Sequence, residues 1–333
     1  MTYPQADKIL PIITDAHTIV ILQADNPDAD SLGSALALEQ ILGDLGHEPL
    51  LYCGVDIPEY LRYLPGWDRV QKDLPAKFDA SIIVDASTYT LFEKIELDPR
   101  YNMLKSKPCV VLDHHTNVEK PIDFAEVTLC DNQVASTGEL IYVLAKDYGW
   151  PLGPQTGEFI MSSILGDTQG LMNDLARAST YRVMAELVEL GADRPKLEET
   201  RREYSKMPQS IYTYKGALLG RTEFAADGRI AHVTVPQEEI NAFSPLYNPG
   251  PLVQFDMMQV IGVQLSIVFK TYDDGKVTGA IRAANGYAVA GALATALGGG
   301  GHPYAAGFKV IDGQTFAEVK AKALKLAAEL LDK

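Results

Sequence analysis

Asp85 and Asp113 each close a short run suited to a buried strand, Ser81-Ile82-Ile83-Val84 and Cys109-Val110-Val111-Leu112. Runs of this kind alternate with segments of helical spacing, and that alternation constrains the fold more than any other feature. Residues 18–22, 50–53, 81–84 and 109–112 read as strands, with 124–129 as a further one. Residues 32–45 carry apolar side chains at helical spacing and stop at Gly46. Residues 138–148 and 156–165 also read as helices, the second behind Pro154. Strand and helix in turn predict the α/β class, with an N-terminal parallel sheet covered by helices on both faces. In such a sheet the ligand site lies beyond the carboxyl ends of the strands, where Asp85 and Asp113 fall.

Beyond this region the pattern changes. A helical stretch over 180–214 is broken at Gly191-Ala192-Asp193-Arg194-Pro195 and is rich in charge over 198–206. Residues 230–235, 260–269 and 276–283 read as strands, with a turn at Asp273-Asp274-Gly275, and 289–297 and 315–331 as helices. The expected layout is a first domain over 1–190, a helical linker over 191–215 and a smaller mixed-sheet α/β domain over 216–333.

No apolar run reaches the ~18 residues that would cross a membrane. The first residues lack a basic segment followed by an apolar one, so no signal peptide is expected. The three cysteines, Cys53, Cys109 and Cys130, are an odd number without Cys-x-x-Cys spacing. They predict buried free thiols and a cytoplasmic location. The net charge of −15 opposes binding to long duplex nucleic acid, which needs a broad basic surface. A small phosphorylated substrate gripped by a few local Arg, Lys and His suits it better.

Five signatures carry the chemistry. Asp28-Ala29-Asp30 opens a helix after the first strand. Its two carboxylates can address neighbouring cations, although Asp ahead of a helix is also an ordinary N-cap. Gly33-Ser34 is placed to bring backbone N–H groups toward a phosphate. Asp85 taken alone caps a loop. In Asp113-His114-His115 adjacent side chains point to different sides, so one imidazole can bind a metal while the other faces substrate. Imidazole ligation favours Mn²⁺, Zn²⁺ or Fe²⁺ over Mg²⁺ or Ca²⁺. Asp167, taken alone, is a helix C-terminal turn. Gly298-Gly299-Gly300-Gly301-His302 reads as an anion nest with a hinge as the alternative, and Arg282 can clamp a terminal phosphate. Together they suit two divalent cations working on a phosphorus centre.

In this order, and over nearly the whole chain, the motifs resemble the DHH phosphoesterase family, and the glycine–histidine segment resembles its DHHA1 substrate domain. Members of similar length and build are nanoRNA hydrolases that also dephosphorylate adenosine 3′,5′-bisphosphate. Relatives cleave single-stranded DNA, dinucleotides, polyphosphate or pyrophosphate. The resemblance implies a catalytic, metal-binding DHH domain over 1–190 and a substrate-binding DHHA1 domain over 216–333. One Mn²⁺ would take Asp28 and Asp85. The second would take Asp30, Asp85, His114 and Asp167, with a hydroxide held by the cations as nucleophile. His115 would face the phosphate as a catalytic residue, with Asp113 orienting the histidines. Arg282, Gly299, Gly300, Gly301 and His302 would bind the substrate. The family's first motif carries a histidine four residues before its first aspartate, and here that position is Ala24. Its loss should weaken the first metal. A short oligonucleotide or small phosphorylated nucleotide is the expected partner. The alternatives are a nucleotide-binding regulatory protein with impaired catalysis, or a single-strand-specific exonuclease. A homodimer stays open.

Overall fold

The computed structural model describes residues 3–92, 94–115, 120–244, 247–311 and 313–333, which form two compact units, Met1–Lys206 and Met207–Lys333. Unit 1 runs α1 (Ala6–Asp15), β1 (Thr18–Gln23), α2 (Ala29–Asp44), β2 (Glu48–Cys53), β3 (Ala80–Val84), α3 (Tyr101–Lys105), β4 (Cys109–Asp113), β5 (Val127–Cys130), α4 (Thr137–Tyr148), α5 (Pro154–Asp167), α6 (Ala178–Glu189) and α7 (Arg194–Tyr204). Its five strands are all parallel, in the order β2-β1-β3-β4-β5. The chain turns to one side after β1 and to the other after β3, so the switch point of the sheet lies between these strands. Asp28 follows β1, Asp85 follows β3, and Asp113 ends β4.

The central strands β1, β3 and β4 are buried on both faces, as a covered parallel sheet requires. Ile19, Ile21, Ile82, Val84, Val110 and Leu112 join α1, α2, α4 and α5 in one core. Val20, Leu22, Ile83 and Val111 face a second core closed by Phe92, Ile95 and Leu104. The α/β architecture read from the sequence is therefore present. Helix α1 escaped it because Pro11 interrupts the helical pattern, yet Ile9 and Ile13 bury fully against the sheet.

Unit 2 runs α8 (Gln209–Gly220), β6 (Glu223–Ala225), β7 (Ile230–Val235), α9 (Gln237–Phe243), α10 (Pro249–Met258), β8 (Leu265–Thr271), β9 (Val277–Ala283), α11 (Ala290–Ala296), β10 (Gly300–Gly301), β11 (Ala305–Val310) and α12 (Phe316–Leu331). The mixed sheet has the order β10-β11-β9-β8-β7-β6, with β7 and β8 parallel and the other pairs antiparallel. Strand β8 starts at Leu265 rather than 260, because Gly262 at φ 89° turns the chain first.

Two expectations change. The stretch over 191–215, expected as a linker, divides at Lys206. Leu197 of α7 buries into the core of unit 1, and Ile211 and Tyr214 of α8 into that of unit 2. Of the three free thiols, Cys53 and Cys109 are buried but Cys130 is exposed. It lies on edge strand β5, whose side chains alternate between buried and exposed. Among the described residues no helix is long and apolar enough to cross a membrane.

Candidate metal centre

The centre is built around Asp30 in the first turn of α2. Its carboxylate is fully buried and held from several sides. The backbone N–H groups of Thr137 and Gly138, at the start of α4, donate to it at 2.8 and 3.2 Å. The hydroxyls of Ser34 and Ser163 donate at 2.9 and 2.6 Å. A helix N-terminus favours an anion in this position. Gly138 is required here, because a Cβ would collide with the Ser163 hydroxyl. Gly33 belongs to the same packing problem. A Cβ on it would stand 2.7 Å from the Phe159 carbonyl, so it is where α2 meets α5, and the reading of Gly33 as a phosphate-approach glycine is corrected. Ser34 likewise spends its hydroxyl on Asp30.

Asp85 sits in the left-handed region at φ 58°, which costs backbone energy in a non-glycine residue. Its N–H bonds the Leu112 carbonyl, and Thr137 donates to its carboxylate at 3.3 Å. Asp167 is the last residue of α5. His114, just past β4, points into these carboxylates and is 7% exposed. Its Nε2 stands 2.8 Å from Asp167, 3.4 Å from Asp30 and 3.7 Å from Asp85. Yet Nε2 has no hydrogen-bond partner of acceptable geometry among the described residues. Donor atoms gathered this closely, without hydrogen bonds aligned between them, suit a shared cation. His115 is half exposed. Its Nδ1 is 2.8 Å from Asp113, which also accepts the N–H groups of His114 and His115 at 2.7 and 3.2 Å.

Electrostatics agree. Burial raises the Asp85 pKa well above the ordinary carboxylate range, and Asp30, Asp28 and Asp167 raise it further. Burial and Asp30 push Asp167 up to about 6. Burial alone would lower His114, but Asp167 and Asp30 outweigh it and push it up to about 9. Without a cation this cluster holds protons, and a divalent ion would replace them. Among the described residues, two groups have metal-binding proximity, Asp30-His114-Asp167 and Asp85-His114-His115.

Asp28 stands apart from both groups. It is the N-cap of α2, accepting from the Ser31 N–H at 2.9 Å, while the Ser31 hydroxyl answers the Asp28 N–H. Burial and then Asp30 raise its pKa. Ala24 brings nothing to it, since its side chain lies in the apolar core beside Tyr52 and Phe92. Donors for one cation are therefore assembled, whereas those for the other are sparse.

In unit 2, Arg282 is exposed and lies opposite Ala305 across the β9–β11 register, next to the His302–Ala305 turn. His302 is exposed beside it. The glycine run forms β10 against β11. Gly299 and Gly301 are needed because strand β11 passes too close for a Cβ, at 2.6 Å from the Ala306 Cα in the case of Gly301. Gly300 has open space around it. The residues missed from the sequence are Thr137, Gly138 and Ser163, while Ser34 was noticed but given a different role. Ser136-Thr137-Gly138 ahead of an apolar helix was their one visible signal.

The model for the DHH family, N-terminal domain, matches residues 18–166, and that for the DHHA1 domain matches residues 253–333. A bifunctional oligoribonuclease and PAP phosphatase NrnA of Thermus thermophilus is 26% identical, over 85% of this chain and 81% of its own. A probable enzyme of the same name from Streptococcus mutans is 24% identical, over 90% of this chain and 91% of its own. The crystal structure of an exopolyphosphatase-related protein from Bacteroides fragilis superposes with a TM-score of 0.84 at 20% identity, covering 99% of this chain and 98% of that one.

Proposed function

The chain belongs to the DHH family of phosphoesterases, and on that premise we propose that it hydrolyses short oligonucleotides and adenosine 3′,5′-bisphosphate with the help of Mn²⁺. The observation that carries this is the convergence of Asp30, Asp85 and Asp167 on the His114 Nε2, which lacks an aligned hydrogen bond. The two similar NrnA enzymes, named for oligoribonuclease and PAP phosphatase activity, support the substrate class.

Asp30, Asp85, His114 and Asp167 would hold one cation tightly, with Asp28 and Asp85 offering a weaker second position. Divalent cations, when bound, supply Lewis-acid polarisation of the phosphoryl group and an activated water. Histidine among the ligands favours Mn²⁺ over Mg²⁺. The seryl hydroxyls and α4 amides fix Asp30, so the ligand set is preorganised. Asp113 holds His115 by Nδ1 and raises its pKa. This favours the protonated ring, from which a proton can be donated to a phosphate oxygen. Arg282 and His302, adjacent in unit 2, are proposed to grip a terminal phosphate of the substrate beside Gly299, Gly300 and Gly301.

The test is incubation with Mn²⁺ and either a 5′-phosphorylated dinucleotide or adenosine bisphosphate. Release of mononucleotide or phosphate is expected. Release from neither substrate overturns the proposal. Tight binding without turnover would point instead to a nucleotide-binding regulatory role, the reading that the sparse donors around Asp28 favour.

A further inference from the structure

Unit 1 holds a cavity of about 580 Å³ that the metal centre does not use, within the size range of small-molecule sites. One wall belongs to the metal-binding segments. Ala29 lies between Asp28 and Asp30 in sequence, and Gly166 immediately precedes Asp167. Tyr60, on the same wall, donates its hydroxyl to the Pro27 carbonyl at 3.4 Å, and its ring is half exposed. After burial, the charge of Asp28 is the next influence on the Tyr60 hydroxyl. Helix α7 also lines the cavity. It contributes Arg194, Arg201 and Arg202 against the single acid Glu198. Glu198 is already bonded by Arg201 at 2.7 Å and Arg202 at 3.1 Å. In a chain of net charge −15, this is a locally positive wall. Part of the lining backbone is strained. Gln169 and Leu171 both have positive φ, at 52° and 70°, and Gln169 lines the cavity. Strain of this kind is retained where the surroundings enforce it, often at ligand sites.

We infer that this cavity is a nucleotide subsite that receives the unit next to the scissile phosphate. Its base would lie against Tyr60, and its following phosphate on the guanidiniums of Arg201 and Arg202. Aromatic faces with arginines are the pairing that holds single-stranded nucleotides without reading sequence. The inference rests on the proposed phosphoesterase reading and deepens it. The subsite gives a preference for oligonucleotides over single nucleotides, and it depends on the charge of α7.

Two measurements test this. The first is the fluorescence anisotropy of a labelled tri-adenylate, with Ca²⁺ in place of Mn²⁺, on wild type, Arg202→Glu, Arg202→Lys and Tyr60→Ala. The second is the ratio of kcat/KM for the trinucleotide to that for the nitrophenyl ester of a single nucleotide. Arg202 is exposed, and its surface ion pair is worth little, so the fold should hold; circular dichroism checks this. About 10-fold weaker binding is expected for Arg202→Glu and for Tyr60→Ala, with recovery in Arg202→Lys and a ratio about 10-fold lower in the glutamate variant, as loss of a charge-assisted phosphate contact implies. Affinities equal to wild type, or an unchanged ratio, overturn the subsite, as does a wild type that binds no trinucleotide. A wild type that binds it with this dependence on Arg202 but hydrolyses neither substrate keeps the subsite and removes the phosphoesterase reading.

Discussion

On the proposed reading, Ala24 would limit how many cations the chain holds tightly. Its methyl group is 4% exposed and packed in the apolar core with Tyr52, Ile83 and Phe92. Its neighbour Asp25 lies outside both groups with metal-binding proximity. The Asp25 carboxylate accepts from the Lys94 N–H at 2.7 Å, and its own N–H bonds Leu91. Titration of the metal-free protein with Mn²⁺, followed by metal analysis, should therefore give one tight ion per chain, with a second appearing only when a phosphate ligand is present. Ala24→His should raise the count toward two. Forcing an imidazole into the apolar core should also lower stability of the metal-free form by about 1–3 kcal/mol, seen as a fall in Tm. Two tight ions in the wild type, or no gain in the variant, would overturn this account. At this scale the cluster of carboxylates and imidazoles was legible, because Asp-His-His and paired aspartates at strand ends are rare combinations. The cradle around Asp30 was not. Ser34, Thr137 and Ser163 are common residues at ordinary spacings, and only the meeting of α2, α4 and α5 gives them a role.

Helices α2 and α5 carry Asp30 and Asp167, so the distance between those carboxylates depends on how closely the helices approach. Gly33 sets that approach, with the Phe159 carbonyl 2.7 Å from where its Cβ would be. Gly33→Ala should push the helices apart and cost about 1–3 kcal/mol in urea denaturation, with weaker Mn²⁺ binding. Gly43, near the end of α2, meets nothing within 4 Å and serves as the comparison. Gly43→Ala should be neutral or stabilise by about 0.4–1 kcal/mol. Equal effects at both positions would mean that helix propensity, not the α2–α5 approach, governs the response. Strands β1, β3 and β4 were legible because both faces are apolar and the runs are short. Strand β11 was not, since Ala305-Ala306-Gly307 lacks β-branched residues and is held by pairing with β9.

The molecule divides into two units with separate cores, and each should answer to a different solution variable. Unit 1 gathers carboxylates that hold protons in the absence of a cation, and a bound divalent ion would replace them. Ligand binding to the native state stabilises it by about 2.7 kcal/mol at a free concentration of 100 Kd. Mn²⁺ should accordingly raise hydrogen-exchange protection in α2, α5 and β4, and a chelator should reverse the effect. Unit 2 carries His232 on β7, 3% exposed beside Phe269, with no hydrogen-bond partner for Nδ1 among the described residues. Burial lowers its pKa and Lys320 lowers it further. The folded form therefore keeps His232 neutral, while the unfolded chain takes up a proton below its ordinary value of about 6.5. Since the unfolded state binds more protons there, stability of unit 2 should fall as pH drops through about 6.5 and level off below the depressed folded pKa. Exchange in β7 and β8 measured from pH 7.5 to 5 reads this directly once corrected for the intrinsic exchange rate. In His232→Leu the pH-dependent loss should disappear. If the slope persists in that variant, another group is responsible; if Mn²⁺ protects β7 and β8 as strongly as β4, the two units do not respond independently.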